Sequence, residues 1–444
     1  MGLLKTLFSP ITKILSWLMP EPPKQKLPGS EITRAATDAS IPKIYGKANK
    51  VSGTIIFKAV TDQPNDDIPN DLLHMIIVWA EAVTSIDTVY IDDIDIESDS
   101  ELFVQGSNRY AYSINFVNGM AGYSDPLLTA AGWRTSDKCE GKAVSYVRLQ
   151  YADGENKLRS EPQITADITG TLSRNPADHL LDYLTNPIYG KGESTSKIDL
   201  AAITAAGAVC DIQVEEVIGG GVYRSLFECN TILDTGEDVF NNLNVILKSM
   251  RASMPVLDGK LTPIVEKDDP VTSIAIFEDD ILEIDEVSNS NKSNRYNRVV
   301  VSYTDDDANG TQQDSVWPPK DSTIETTWLS EDNGILLETS VELSTCRNYY
   351  EALAFAKTFA EISREQLKTE ITLGLWGTIY EVGDIVEVTH SYLGFNAKPF
   401  RVVSTTESDN EVIISLREHQ PYIYDFENTG LKPAFPDTNI TNTP

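Results

Sequence analysis

Between Tyr380 and Tyr424 three short β-prone runs, over 385–389, 400–403 and 411–416, are separated by strong turn residues. The separators are Gly-Asp at 383–384, Gly-Phe at 394–395 and Ser-Asp-Asn at 408–410, and such residues either adopt or stabilise tight backbone reversals. A helical segment over 345–366 runs directly into the first strand. A helix feeding a compact set of short strands admits few folds, and it sets the expectation of an α+β, β-rich chain. The residues that leave this unit are aromatic: Tyr422, Tyr424 and Phe426, spaced by two. They either anchor a subunit contact or finish a strand against their own core.

The β pattern continues upstream. Strands are expected at 44–46 and 51–60, joined by a polar turn, then at 74–82 and 87–96. The last alternates apolar and acidic residues, as a strand with one buried and one wet face does. Runs at 141–151 and 164–170 follow. The middle is mixed. Asn175 before Pro176 opens a helix over 175–184. A second helix spans 196–210, with Ser196 and Asp199 as alternative caps. The three glycines at 219–221 turn between two strands, the second over 223–231. Asp234 or Thr235 caps a helix over 237–250, whose Val239, Phe240, Leu243, Ile246, Leu247 and Met250 recur every 3.6 residues. Asp258-Gly259 predicts a type I′ hairpin. A buried strand is expected at 298–303 and another at 336–343.

A chain of 444 residues exceeds one ordinary core. The expected domains are an N-terminal amphipathic helix and Pro-rich linker (1–30), a β-rich domain with an inserted subdomain (31–172), a mixed α/β domain (173–295), a helix plus barrel-like β domain (296–426) and a flexible extension (427–444). The N-terminal segment places Leu4, Leu7, Phe8, Ile11, Ile14, Leu15 and Leu18 at helical spacing, with Trp17 among them. Pro10, Thr12 and Lys13 break the apolar run that a secretory signal needs. The segment is too short and polar to span a bilayer, so no stable membrane insertion is expected. It docks either on a partner subunit or on a membrane surface.

The chain carries 67 Asp and Glu against 36 Lys and Arg, a net charge of −31. Gripping nucleic acid requires Lys and Arg against phosphate, so that function is disfavoured. The acidity serves solubility or lines a wall that DNA passes without sticking. Cys139, Cys210, Cys229 and Cys346 are too widely spaced for zinc or a disulfide framework, and buried free thiols are expected. The four histidines, His74, His179, His390 and His419, show no H-E-x-x-H spacing. No nucleophile elbow, P-loop or dinucleotide fingerprint is present. No cofactor and no catalytic residue is assigned. Asp305, Asp307, Asn309 and Gly310 match the first half of an EF-hand calcium loop. The twelfth position is Val316 in place of Glu, and Asp314 would have to substitute. The alternative is an acidic hairpin loop that binds nothing.

Five segments in order then resemble one family, the tail hub or tip attachment proteins of tailed bacteriophages. They are IPKIYGKANKVSGTIIF from Ile41, LLDYLTNPIYGKG from Leu180, FECNTILDTGEDVFNNLNVILKSMRASMPVLDGKLTPIVE from Phe227, RYNRVVVSYTDDD from Arg295, and GDIVEVTH with KPFRVVS and VIISLREHQPYIY from Gly383. Each is weakly specific alone. Together they are spread over 41–424 in the family order. The resemblance implies a structural virion protein rather than an enzyme. It implies a trimeric ring of barrel-like domains that adapts the sixfold tail tube to a threefold tip or central fibre. Such a ring surrounds the channel through which DNA leaves, so DNA is met only in passing. Implied partners are a distal tail protein, the tape measure protein, and a central fibre or receptor-binding protein anchored near 431–444. The chain stops short of the fibronectin-like domains and fibre of the longest members. Two rivals are a receptor-binding tail protein, which lacks a fibre-like repeat here, and a tail-associated cell-wall-degrading enzyme, which lacks catalytic spacing.

Overall fold

The computed structural model describes residues 40–62, 70–97, 111–150, 162–272, 274–289, 295–308, 310–365, 367–408, 410–425 and 432. They form two compact units. One holds the residues up to Gly207 with Glu228–Met250; the other holds Ala208–Phe227 with Arg251 onward.

The first unit is built on two four-stranded antiparallel sheets. One has the order Lys47–Ser52, Ile164–Gly170, Val83–Ile91, Ile94–Asp95; the other has the order Thr54–Thr61, Leu72–Glu81, Lys142–Gln150, Ala111–Phe116. Two pairs of consecutive strands, 47–61 and 72–91, pass from one sheet into the other with a single intervening residue. The inner faces meet in one core of Val51, Val83, Val89, Ile91, Ile164 and Ile168 against Met75, Ile77, Trp79, Val147 and Leu149. Trp79 is fully buried, and its indole N–H donates to Ser145 Oγ at 2.9 Å, the partner that a buried indole needs.

Two expectations are corrected here. The polar stretch after Tyr45 is a strand, not a turn: Lys47–Ser52 pairs with Ile164–Gly170 and buries Ala48 and Val51. Lys43–Tyr45 pairs instead with Thr231–Leu233. The alternating run at 87–96 is broken by Asp92 and Asp93, whose φ of 48° and 66° reverse the chain into Ile94–Asp95. Two adjacent positive φ angles make a type I′ turn, which Asp tolerates.

Helices complete this unit as their caps dictate. Asn175 accepts from Ala177 N at the start of Pro176–Thr185. Asp199, not Ser196, accepts from Ala201 N and Ala202 N at 3.0 Å at the start of Leu200–Cys210. Val239–Ser249 is capped by Asp238, not by Asp234 or Thr235. Its Leu243, Ile246 and Leu247 are buried, whereas Phe240, expected on the same face, is 61% exposed.

The second unit contains a six-stranded sheet of order Ile276–Phe277, Ile385–His390, Phe395–Glu407, Glu411–Glu418, Leu367–Gly374, Ile281–Asn289. Its two edge strands are joined by only Glu278–Asp280. Six strands lying flat would put the edges about 24 Å apart, and the four residue steps from Phe277 to Ile281 reach at most about 14 Å. The sheet therefore curls strongly around Ile371, Leu373, Val386, Phe400, Val402, Val412 and Ile414. Among the described residues neither unit closes a hydrogen-bonded barrel. The barrel-like expectation is thereby corrected to a sandwich and an open, curled sheet, within a β-rich chain of few helices. Leu257 and Lys260 pair across Asp258 and Gly259, at φ 49° and 76°, which is the expected type I′ hairpin.

A three-stranded sheet, Thr311–Trp317, Arg298–Asp305, Glu338–Glu342, packs on the long helix Tyr349–Arg364. The central strand is not wholly buried: only Val299, Val301, Tyr303 and Asp305 face inward. The helix is capped by Asn348, which accepts from Tyr350 N at 2.8 Å. It is buried on nearly all sides, Glu361 included. Glu361 Oε2 meets no hydrogen-bond partner among the described residues. Burial, opposed by Lys357 and reinforced by Asp425 and Glu365, pushes its carboxyl up to about 7. A carboxyl with a raised folded pKa stabilises fully below its ordinary range and loses that contribution as pH rises through the folded value. Glu361→Gln is therefore expected to match the wild type near pH 5 and to be more stable by about 1–3 kcal/mol at pH 8–9. Urea midpoints at the two pH values check this; equal differences at both would mean that Glu361 is already solvated.

Candidate functional site

Three of the five signature segments meet in the first unit. Tyr45 is fully buried, donates to Asp182 Oδ2 at 2.7 Å and stacks on His179 with ring centroids 4.5 Å apart. Asp182 Oδ2 also accepts from the Tyr189 hydroxyl at 2.8 Å, and the Lys43 ammonium lies 5.0 Å from the Tyr189 ring. Burial lowers His179 to about 4, so it is neutral at pH 7. The third segment closes the knot: Tyr45 pairs with Thr231, and Asn242 Nδ2 donates to the Tyr183 hydroxyl at 3.0 Å. The last carbonyls of a helix need donors from outside it. Lys191 N reaches Tyr183 O at 2.8 Å and Glu193 N reaches Leu184 O at 2.7 Å. The Asn-Pro-Ile-Tyr-Gly-Lys-Gly loop is thus the C-terminal cap of the Pro176–Thr185 helix.

The acidic loop belongs to the second unit. Asp305 is buried and accepts from the Tyr303 hydroxyl at 2.9 Å. The Lys432 ammonium bridges Asp305 at 2.7 Å and Asp307 at 2.9 Å. Burial works against that ammonium, but the two carboxylates outweigh it and hold it above its ordinary pKa. Asp314 is engaged by Ser302 Oγ, with which it pairs across the strands. It stands three pairs away from Asp305, roughly 10 Å along the ladder. Asn309 lies outside the described residues, as do Leu4, Leu7, Phe8, Ile11, Leu15, Trp17 and Phe426. The two described exit aromatics sit on a 3-10 turn, Pro421–Tyr424, and differ in exposure. Tyr424 is buried, while Tyr422 is 52% exposed and donates to Glu365 at 2.6 Å.

Behind Tyr424 lies a buried ionic cluster that the sequence reading missed. Glu266 Oε1 accepts from Arg417 Nη2 and, at 2.7 Å, from the Tyr424 hydroxyl. Burial pushes the Glu266 carboxyl up, but the charges of Arg417 and Arg401 prevail and hold it below the usual range. Arg401 donates to Gly383 O at 2.9 Å and to Lys267 O. Arg251 donates to Thr358 Oγ1 at 2.7 Å, and burial lowers its pKa to about 10. His419 stacks on Tyr424 and bonds Asp268 Oδ1 at 2.9 Å. The available signal was Arg401 and Arg417 inside β-runs on the face away from Phe400, Val402 and Leu416. That face is normally wet; here it is covered.

His74 bonds the Tyr146 hydroxyl at 2.7 Å and Thr61 Oγ1 at 2.8 Å on the outer face of its sheet, the face of Ile76 and Val78. Cys210, Cys229 and Cys346 are buried, as expected, and Cys139 is only half-buried. Among the described residues no three His, Cys, Asp or Glu side chains converge as metal ligands do. No helix among them is long and apolar enough to cross a membrane.

No family model matches the chain. It is 23% identical over 307 residues to the baseplate hub protein pb3 of Escherichia phage T5, an alignment covering 62% of this chain. The chain spans 31% of the length of that relative. Its fold is similar to that of a chain in the virion of a native gene transfer agent particle. The TM-score is 0.62 at 14% identity, over 93% of both chains. The 43 kDa tail protein of prophage MuSo2 from Shewanella oneidensis aligns with a TM-score of only 0.31 at 10% identity, over 87% of this chain and 100% of that one. The resemblance to phage tail hub proteins drawn from the five segments holds.

Proposed function

We propose that this chain is a structural protein of a phage-like virion, a hub at the tail tip that joins the sixfold tube to a threefold tip or central fibre. The observation that carries this reading is its alignment with a baseplate hub protein over 307 residues. The fold shared with a virion chain over 93% of both lengths supports it. In this reading the chain is not an enzyme, acts as a homotrimer, and surrounds the channel through which DNA leaves. Its neighbours are a distal tail protein, a tape measure protein and a central fibre or receptor-binding protein. The division into an N-terminal docking helix, three hub domains and an extension belongs to the same proposal.

The surface suits a protein that works through interfaces. At the end of the curled sheet where Ile281 pairs with Leu373, Leu282, Leu375 and Ile379 are about half exposed and Trp376 is 38% exposed. Apolar side chains grouped at a sheet edge mark contact surfaces. The test is immunogold electron microscopy of particles released by the host that carries this gene, with antibody against this chain. Label at the distal end of the tail is expected. Particles that carry no label, or carry it on the head, would overturn the proposal. Light scattering of the purified chain across a concentration series addresses the trimer, with three times 49.1 kDa as the expected mass.

A further inference from the structure

We infer that the apolar face at the end of the curled sheet is the docking site of the chain's own N-terminal segment, residues 1–20. Tyr380 ties that face together. Its ring meets Trp376 edge-on, with centroids 5.9 Å apart, and its hydroxyl donates to Ile274 O at 3.2 Å. Leu282 follows Ile281, which pairs with Leu373 just before the 3-10 turn Leu375–Ile379. Ile274 is about half exposed, as Leu282, Leu375 and Ile379 are. Large apolar side chains grouped in this way favour an occupant that removes them from water.

Charge selects what covers the face. The two stretches that carry these side chains, 274–289 and 374–388, hold six and three Asp and Glu respectively, and no Lys or Arg. Burial first, then the charges of Asp280 and Asp384, push the Tyr380 hydroxyl up to about 12, so both carboxylates act at the face itself. Among the described residues Asp280, Glu283, Glu381 and Asp384 have no Lys or Arg within ion-pairing distance. A second copy of the face would set acid against acid, and nucleic acid or an anionic lipid surface would be repelled in the same way. The complementary occupant is both apolar and cationic.

Residues 1–20 have that chemistry. In a chain of net charge −31 they carry Lys5 and Lys13 and no Asp or Glu, alongside Leu4, Leu7, Phe8 and Ile11. They lie outside the described residues, which begin at Ser40. The chain from Pro20 to Ser40 spans up to about 66 Å when extended, so the tether permits the contact. The inference deepens the docking role proposed for this segment. It is independent of the tail-tip reading, which immunogold labelling tests separately.

The test uses the full-length chain with the photo-reactive residue benzoylphenylalanine in place of Ile379. Isotope-labelled and unlabelled chains are mixed in dilute solution, irradiated, and digested for mass spectrometry. Cross-links are expected within residues 1–20 of the same chain. The cross-linked fraction should fall about fivefold when Lys5→Glu and Lys13→Glu are combined, the scale of reversing two exposed charge contacts. It should persist with Lys5→Arg and Lys13→Arg. The same probe at Tyr422, beyond the far end of the strand Glu411–Glu418, should not reach the segment. Cross-links that join two chains or land outside 1–20, no cross-link at all, or equal yields with Glu and Arg would overturn the inference.

Discussion

Gly190→Ala is expected to lower the stability of the first unit by about 3 kcal/mol or more, a steric cost at the upper end for overpacking. A Cβ at this position would stand 1.9 Å from the carbonyl oxygen of Tyr183, 2.8 Å from its carbonyl carbon and 3.0 Å from Asn186 O. All three obstacles are backbone, so no side chain can swing aside. Relief requires the loop to lift from the helix end. That breaks the Lys191 N bond to Tyr183 O and the Glu193 N bond to Leu184 O. The Tyr189 hydroxyl would then leave Asp182, which also holds Tyr45. Gly192→Ala is the graded control. Its φ of +66° costs an L residue about 1–2 kcal/mol, and its Cβ would meet Pro187 Cα at 3.2 Å, a tight contact that a shift of a few tenths of an ångström relieves. Guanidinium midpoints of the two variants give the comparison. Equal losses would mean that the loop is not pinned against Tyr183.

The same loop shows how much of the molecule was legible beforehand. Where backbone geometry demands a residue type, the sequence carries the demand openly. The Asp258-Gly259 hairpin, the Asn175-Pro176 helix start and the turns at Gly383 and Gly394, with φ of 103° and 69°, are of this kind. Where a partner strand supplies the reason, no local signal exists. Lys47–Ser52 is polar and reads as a turn, yet it is a strand because Ile164–Gly170 lies beside it. The helix Thr323–Glu331 went unread for a related cause. Its cap is explicit, with Ser322 Oγ accepting from Glu325 N and Glu325 Oε2 accepting from Asp321 N. Of its residues only Glu325 is buried, so the apolar periodicity that usually announces a helix is missing.

The candidate site divides in the same way. The signature segments were visible as composition and spacing, but their convergence on Tyr45 and Asp182 depends on contacts more than a hundred residues apart. The acidic loop was read from ligand spacing. Lys432, which meets Asp305 and Asp307, comes from far outside that motif. The spacing by two groups Tyr422 and Tyr424 with Phe426; the 3-10 turn separates the first two, leaving one toward solvent and one inside. Charge patterning could not reveal the arginine cluster, because Arg401 and Arg417 occupy positions where an antiparallel sheet usually presents polar residues to water.

That cluster carries the second large expectation: Glu266→Ala should destabilise the second unit by about 3–5 kcal/mol, the usual cost of leaving a buried charge without its partner. Among the described residues Glu266 is the only carboxylate ion-paired with Arg417, and Tyr424 loses its acceptor in the same step. Arg401 then keeps only Asp269, at 3.4 Å and shared with Lys267. Two features separate this loss from simple cavity formation. First, adding Arg417→Met to Glu266→Ala should restore part of the stability, since it removes the stranded charge and replaces it with apolar volume. A truncation that acted only through lost packing would instead grow worse with a second core change. Second, the loss should depend on pH. The folded carboxyl is held below its ordinary pKa, so its contribution is present above the usual carboxylate range and disappears as pH falls through the folded value. Wild type and Glu266→Ala should therefore converge in stability on acidification and differ most near neutrality. Urea unfolding of the single and double variants across pH measures both features. A single-variant loss below about 1 kcal/mol at pH 7, the scale of an exposed pair, would show that water already screens the cluster.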